Sequence, residues 1–268
     1  MAPGKSTASQ QKDDGTGSPE ANKDGKEASK LWTVAVITAF FIIIVAILIH
    51  RLLYPKPDFN FAKIFENKIV ELQFSFTNQT DRFWRILEKR GLAHLKNASP
   101  PQPLVLLLAA PPAAHGTVDC LARKLAAALD PQQERILATI DGREERSYPG
   151  EEIKKKMDDL LIRSFKEGHR AALVHHLELL PLPSPLLFYS YCDDQNAPHK
   201  HVAIIFTVHM PEEPDASLEP SEAEGTVEKY LTETVWAKED KDAVAALLSR
   251  IADTVALMNG EPSSLDTC

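Results

Sequence analysis

Pro103-Leu104-Val105-Leu106-Leu107-Leu108-Ala109-Ala110-Pro111-Pro112 carries an apolar side chain at every step between two proline stops. A strand with one wet face alternates apolar with polar residues. A short unbroken apolar run is instead the mark of a strand covered on both faces, as in a parallel sheet between helix layers. Toward the C-terminus, Thr117 can cap a helix with Val118, Leu121, Leu125 and Leu129 on one face, stopped at Asp130-Pro131. Ile136-Leu137-Ala138-Thr139-Ile140-Asp141-Gly142 reads as a second strand ending in a turn, and Ile153, Met157, Leu160, Leu161 and Phe165 as the stripe of the next helix. A third strand is expected over Ala171-Ala172-Leu173-Val174-His175-His176-Leu177-Glu178 and a fourth over His201-Val202-Ala203-Ile204-Ile205-Phe206-Thr207-Val208. Two helices, near residues 227–236 and 243–258, complete the pattern, after an acidic, proline-containing loop at 211–224. Strands alternating with helices predict an α/β domain with a central, mostly parallel sheet and right-handed crossovers.

Upstream, residues 61–74 place Ile64, Phe65, Ile69, Val70 and Leu72 on a helical stripe, and residues 83–95 repeat the pattern. Before these, residues 31–49 run from Leu31 to Ile49 without a charged side chain, between Lys30 and His50-Arg51. At about 1.5 Å rise per residue such a helix nearly matches a bilayer core of roughly 30 Å. It follows a long polar leader and lacks a small-x-small cleavage site, so an uncleaved signal anchor fits better than a signal peptide. The expected organisation is a disordered tail at 1–30, a transmembrane helix at 31–53, a helical stalk at 54–100 and the main domain at 101–268. The tail is rich in Gly, Ser, Lys, Asp and Glu and has almost no large apolar residue.

Flanking charge leaves the orientation balanced. Lys23, Lys26 and Lys30 precede the apolar run, and Arg51, Lys56 and Lys63 follow it. Two sequons, Asn78-Gln79-Thr80 and Asn97-Ala98-Ser99, and all three cysteines, Cys120, Cys192 and Cys268, lie C-terminal to the run. Glycans and disulfides both belong to the lumen, which predicts a type II protein with residues 55–268 luminal. Three cysteines permit three pairings with one thiol left over. Cys192, after an apolar strand expected over Leu187-Phe188-Tyr189-Ser190-Tyr191, suits a buried free thiol, and a Cys120–Cys268 bond would tie down the C-terminal end.

Several chemistries are disfavoured. Where a P-loop protein carries G-x-x-x-x-G-K-S/T, this chain has Ala110-Pro111-Pro112-Ala113-Ala114-His115-Gly116-Thr117. It offers no lysine for the phosphates and too few N–H groups for a nest. No G-x-S-x-G elbow exists. A net charge of −8 argues against nucleic acid. His175 and His176, as strand neighbours, would point to opposite faces. His199-Lys200-His201 reads as a solvated turn, and no Cys/His ligand spacing appears among these histidines and His209, so no metal is expected. Asp193-Asp194 could imitate the acidic pair of a type II, metal-dependent luminal transferase, but Asp and Asn are ordinary turn residues.

Across residues 60–268 the chain resembles the torsin-activating cofactor family, lamina-associated polypeptide 1 and its luminal-domain-like relative. The resemblance is carried by Asn97-Ala98-Ser99, Gln102-Pro103-Leu104-Val105-Leu106-Leu107-Leu108, Asp119-Cys120-Leu121 and Ala172-Leu173-Val174-His175. It continues through Phe188-Tyr189-Ser190-Tyr191-Cys192-Asp193-Asp194-Gln195-Asn196-Ala197, Leu248-Ser249-Arg250-Ile251 and the terminal Cys268. The resemblance implies a degenerate AAA+-like domain that binds no nucleotide or other cofactor. It would dock on a torsin-type AAA+ ATPase in its ATP-bound state and lend it an arginine finger, here Arg250. It also implies a Cys120–Cys268 disulfide and residence in the endoplasmic reticulum membrane or nuclear envelope; Asn78 and Asn97 are expected glycan acceptors from their sequons. Residue periodicity agrees on Arg250: with Val244, Leu247, Leu248, Ile251 and Val255 buried on the last helix, Arg250, Asp253 and Thr254 turn outward. A passive membrane tether for a luminal ATPase is the remaining alternative. The tail at 1–30 is short for the family, which weakens any expectation of a binding role there.

Overall fold

A computed structural model describes residues 24–53, 60–132, 138–215, 217–261 and 268. The chain divides into two compact units, Met1–Phe59 and Asn60–Cys268. In the first, helix α1 spans Asp24–Leu53. Its segment Trp32–His50 has a mean hydropathy of 2.9 with none of it buried, and is long and apolar enough to cross a membrane. Phe40, Phe41 and Ile42 are exposed along it. Of the tail expected to be disordered, residues 1–23 lie outside the described residues, and the helix is already formed from Asp24.

The second unit opens with α2 (Phe61–Ser75) and α3 (Asp81–Lys96), capped by the Asn60 and Thr80 side chains. Their close approach depends on Gly91, where a Cβ would overlap the buried Phe65 ring. Val70, expected in the buried stripe of α2, is exposed. There follow β1 (Leu104–Ala110), α4 (His115–Leu129), β2 (Ala138–Asp141), the one-turn α5 (Gly142–Glu145), α6 (Gly150–Lys166) and β3 (Ala171–His175). Next come α7 (Phe188–Tyr191), β4 (Ala203–His209), α8 (Pro220–Tyr230), α9 (Lys241–Ile251) and β5 (Val255–Leu257). The strands form one sheet, ordered β2-β3-β4-β1-β5 with every pairing parallel. The class is α/β, as the alternation predicted.

Period-two alternation divides β1 between two cores. Val105, Leu107 and Ala109 join Met157, Phe188, Phe206, Trp236 and Ile251 on one face. Leu104, Leu106, Leu108 and Ala110 join Phe65, Trp84, Leu121 and Leu125 on the other. Continuous hydrophobicity at 104–110 is thus the requirement of a strand with helices above and below. Each fully buried Leu or Phe adds about 1.5–3 kcal/mol.

Several elements depart from expectation. Ile136 and Leu137 of the expected second strand lie outside the described residues, and β2 begins at Ala138. The third strand ends at His175, because His176 turns into the left-handed region at φ 52° and a 3-10 turn over Leu177–Leu179 follows. The fourth starts at Ala203 and runs on to His209. Cys192 follows a 3-10 turn and the short α7 rather than a strand. Helix α8 already begins at Pro220, inside the expected loop, and passes into a π turn at Leu231–Val235. Helix α9 stops at Ile251, and Val255 belongs to a fifth strand against β1. Thr254 is accordingly buried, not turned outward, and its carbonyl accepts the Leu107 N–H at 2.9 Å.

Candidate functional site

Helix α9 is fixed at its start by Asp240, whose carboxylate accepts the Ala243 N–H, and on its face by buried Val244, Leu247, Leu248 and Ile251. Arg250 projects from a different face and is pinned in place. Its Nε and Nη2 both donate to Asp193 Oδ2 at 3.1 Å, Nη1 donates to the Ala246 carbonyl at 2.9 Å, and Nη2 also reaches the Tyr189 hydroxyl at 3.1 Å. The guanidinium carbon lies 3.9 Å from the Tyr189 ring centroid. Asp193 is itself set by the turn after α7, where Oδ1 accepts the N–H groups of Gln195 and Asn196 at 3.0 and 2.6 Å. Those backbone donors, the Asn196 N–H foremost, hold its carboxyl below the usual range, and Arg250 adds to the effect. Asp193 therefore has both oxygens committed, which leaves Asp193-Asp194 poorly suited to a metal pair. Arg250, Ser249, Asp194, Arg90 and Asp253 border a recess of about 340 Å³ near the start of β1. Arg90 is paired there with Asp253.

At the opposite, C-terminal edge of the sheet the structure gathers residues that sequence reading kept apart. Asp119 on α4 accepts from His175 Nδ1 at 3.2 Å and His209 Nε2 at 3.3 Å, and lies 3.8 Å from His176 Nε2. His175 and His176 thus converge on one carboxylate instead of pointing to opposite faces, because the left-handed backbone at His176 breaks the strand alternation. Burial opposes ionisation of Asp119, but the imidazoles of His175 and His209 outweigh it and hold the carboxyl far below its usual range. His176 is pushed down by burial and by His209, against the pull of Asp119 and Asp141. His209 could have been found by pairing strand ends through the topology, and Asp119 only by knowing which face of α4 packs on them.

The turn from β1 into α4 is closed by protein groups. Ala114 donates to the Pro111 carbonyl at 2.8 Å, and the Ala113 N–H is taken by the Glu213 carboxylate at 3.1 Å. Thr117 does not cap α4, which starts at His115 without a side-chain cap. Instead its hydroxyl accepts the Glu261 N–H at 2.8 Å. This belongs to a C-terminal strap across the α2–α3 turn. Asn259 and Gln79 exchange hydrogen bonds at 2.8 and 3.0 Å, the Asn78 amide donates to the Gly260 carbonyl at 2.9 Å, and Glu261 accepts the Asn78 N–H at 2.6 Å. Beyond the strap, Cys268 is bonded to Cys120 with Cα atoms 5.7 Å apart, and Cys192 is a buried free thiol. Of the sequon asparagines, both are exposed, and Asn97 accepts the Ser99 N–H at 2.9 Å.

A family model described as lamina-associated polypeptide 1, AAA+ activator domain, matches residues 56–263. The chain belongs to the lamina-associated polypeptide 1 family. Similar proteins are the Torsin-1A-interacting protein 1 of Bos taurus, 31% identical over 93% of this chain and 42% of that protein, and of Mus musculus, 33% identical over 75% and 36%. That of Homo sapiens is 31% identical over 75% and 36%. The chain spans about two fifths of the length of these relatives. Among solved structures, a DNA polymerase III gamma subunit-related protein of Thermotoga maritima has a TM-score of 0.34 at 13% identity, over 62% of this chain and 58% of that one. That likeness is too slight to carry an argument. Within the lamina-associated polypeptide 1 family match lie every strand of the sheet, the Arg250 cradle and the histidine cluster.

Proposed function

We propose that this chain is a membrane-anchored activator of a torsin-type AAA+ ATPase, not itself an enzyme, which engages the ATP-bound form and supplies Arg250 in trans as an arginine finger. The observation that carries the reading is the preset guanidinium of Arg250, held by Asp193 and Tyr189 on a helix anchored to the sheet. Guanidinium stays charged and grips phosphate oxygens as a fork. Fingers given in trans are worth about 10³–10⁵ in rate. Occupation of the Ala113 N–H by Glu213, at the turn where a P-loop would cradle phosphate, supports a domain that lends a residue rather than binding nucleotide.

In this reading residues 31–53 anchor the chain in the endoplasmic reticulum membrane or the nuclear envelope in type II orientation. Residues 55–268 are luminal, and residues 1–30 face the cytosol or nucleoplasm. The Cys120–Cys268 bond and glycans at Asn78 and Asn97 belong to that compartment. The test is the ATPase rate of a torsin with the full chain in detergent, wild type against Arg250→Ala. Stimulation by the wild type alone is expected. Equal stimulation by both removes the finger, and none by either leaves a passive tether.

A further inference from the structure

Asp119, His176 and His209 come from three separate elements, and one ligand atom from each lies within 4.8 Å of the others. We propose that these three residues hold a borderline first-row divalent ion, Zn²⁺ by preference, at the C-terminal edge of the sheet. Tetrahedral zinc with bonds of about 2.0–2.1 Å needs donor atoms roughly 3.3 Å apart. His209 Nε2 stands 3.3 Å from Asp119 Oδ1, and His176 Nε2 stands 3.8 Å from the other oxygen, Oδ2, so the set, whose donors lie within 4.8 Å of one another, would draw in as an ion binds. Two imidazoles and a carboxylate suit zinc better than magnesium or calcium, which take oxygen ligands. The side chains of Asp119 and His209 are each 16% exposed, enough to admit a water as fourth ligand, while His176 is 2% exposed.

Features outside the three ligands point the same way. His176 is a non-glycine residue in the left-handed region, a conformation that persists only where its surroundings impose it. Thr207 Oγ1 accepts its N–H at 3.1 Å, and Gly142 packs so near that a Cβ would overlap the His176 carbonyl oxygen. Its second ring nitrogen, Nδ1, is buried without an aligned hydrogen bond, yet it lies 3.0 Å from Asp141 Oδ1. A carboxylate behind the free nitrogen of a ligating histidine is the usual support of a zinc site. Arg143 in turn holds that carboxylate, with Nη2 at 2.8 Å from Oδ2. His175 braces Asp119 in the same manner. The ion would clamp α4 to the ends of β3 and β4, in the crevice where α/β sheets receive their ligands. It departs from the expectation of no metal drawn from sequence.

The experiment uses the full chain in detergent, stripped with chelator and titrated with Co²⁺ alone. Expected is one equivalent bound with the visible d–d absorption of a low-coordinate cobalt site, displaced by Zn²⁺. Asp119→Asn and His209→Gln should each abolish that absorption with the far-ultraviolet dichroism intact. Asp141→Asn should weaken binding by about 10–100-fold, the usual cost of losing an outer-shell partner. His199→Ala, at a surface-side histidine, should change nothing. The proposal is overturned if no d–d spectrum develops, or if the spectrum survives Asp119→Asn and His209→Gln. Loss with His199→Ala alone would overturn it equally.

Discussion

The Arg250 guanidinium is stacked on Tyr189, 3.9 Å from the ring centroid, with Asp193 gripping its edge. Tyr189 and Asp193 lie on the short α7 and the turn after it, 57 residues from Arg250 in the case of Asp193. In the proposed function they are positioning residues: neither would touch the partner's nucleotide, but both fix the direction of the Arg250 side chain. Tyr189→Phe keeps the stack and should leave ATPase stimulation almost unchanged. Tyr189→Ala removes it and should lower stimulation about 2- to 30-fold, the range of a cation–π contact. Arg250→Lys keeps charge but not the fork and should recover little. Torsin binding measured beside the rate separates positioning from docking.

The disulfide joins cysteines 148 positions apart in the chain. Cys268→Ser should therefore cost up to about 4–5 kcal/mol in urea unfolding. The strap's hydrogen bonds at Asn78, Gln79 and Thr117 remain, so the native fold should persist at pH 7.

Cys192 is almost wholly buried, and burial pushes its thiol well above the ordinary range. It should resist a thiol reagent at pH 8 in the folded chain and react at once in denaturant, because only the thiolate attacks. Labelling that is as fast in the native protein would contradict the packing of the core behind Val105.

Burial pushes His94 down, outweighing its hydrogen bond to the His201 backbone, with Arg170 and His201 adding positive charge nearby. The unfolded chain, with an ordinary histidine near 6.5, then binds more protons than the folded one as pH falls. The stability from neutral His94 is present above that value and lost below it. Urea midpoints at pH 7.5 and 5.0 should differ less in His94→Gln than in the wild type.

Most of the fold was legible because its signals are local. The run at 104–110 declares a strand with two covered faces, and the stripes of α2, α3 and α6 declare helices. What escaped depended on distant groups. Three residues of β5 are too few for a period to register, and Val255 continues the α9 stripe by coincidence of spacing. His176 carries no glycine signal for its left-handed turn, which only Thr207 and Gly142 explain. Arg250 could be singled out by helical face and resemblance, but Tyr189 entered the sequence reading only in a matching block, and Asp193 there and as half of an acidic pair, neither as its cradle. Asp119 was likewise read only beside Cys120.

β5 also sets an order of events during synthesis. Every other strand has left the ribosome before residues 255–257 emerge, and until then one side of β1 has no neighbour at Leu107, Leu108 and Ala109. Without β5, β1 is the border strand of the sheet, and an open, wholly apolar edge there invites pairing with other chains. A nascent chain stalled before Val255 would be a substrate for chaperones, and the residues that follow Arg250 serve to retire that hazard.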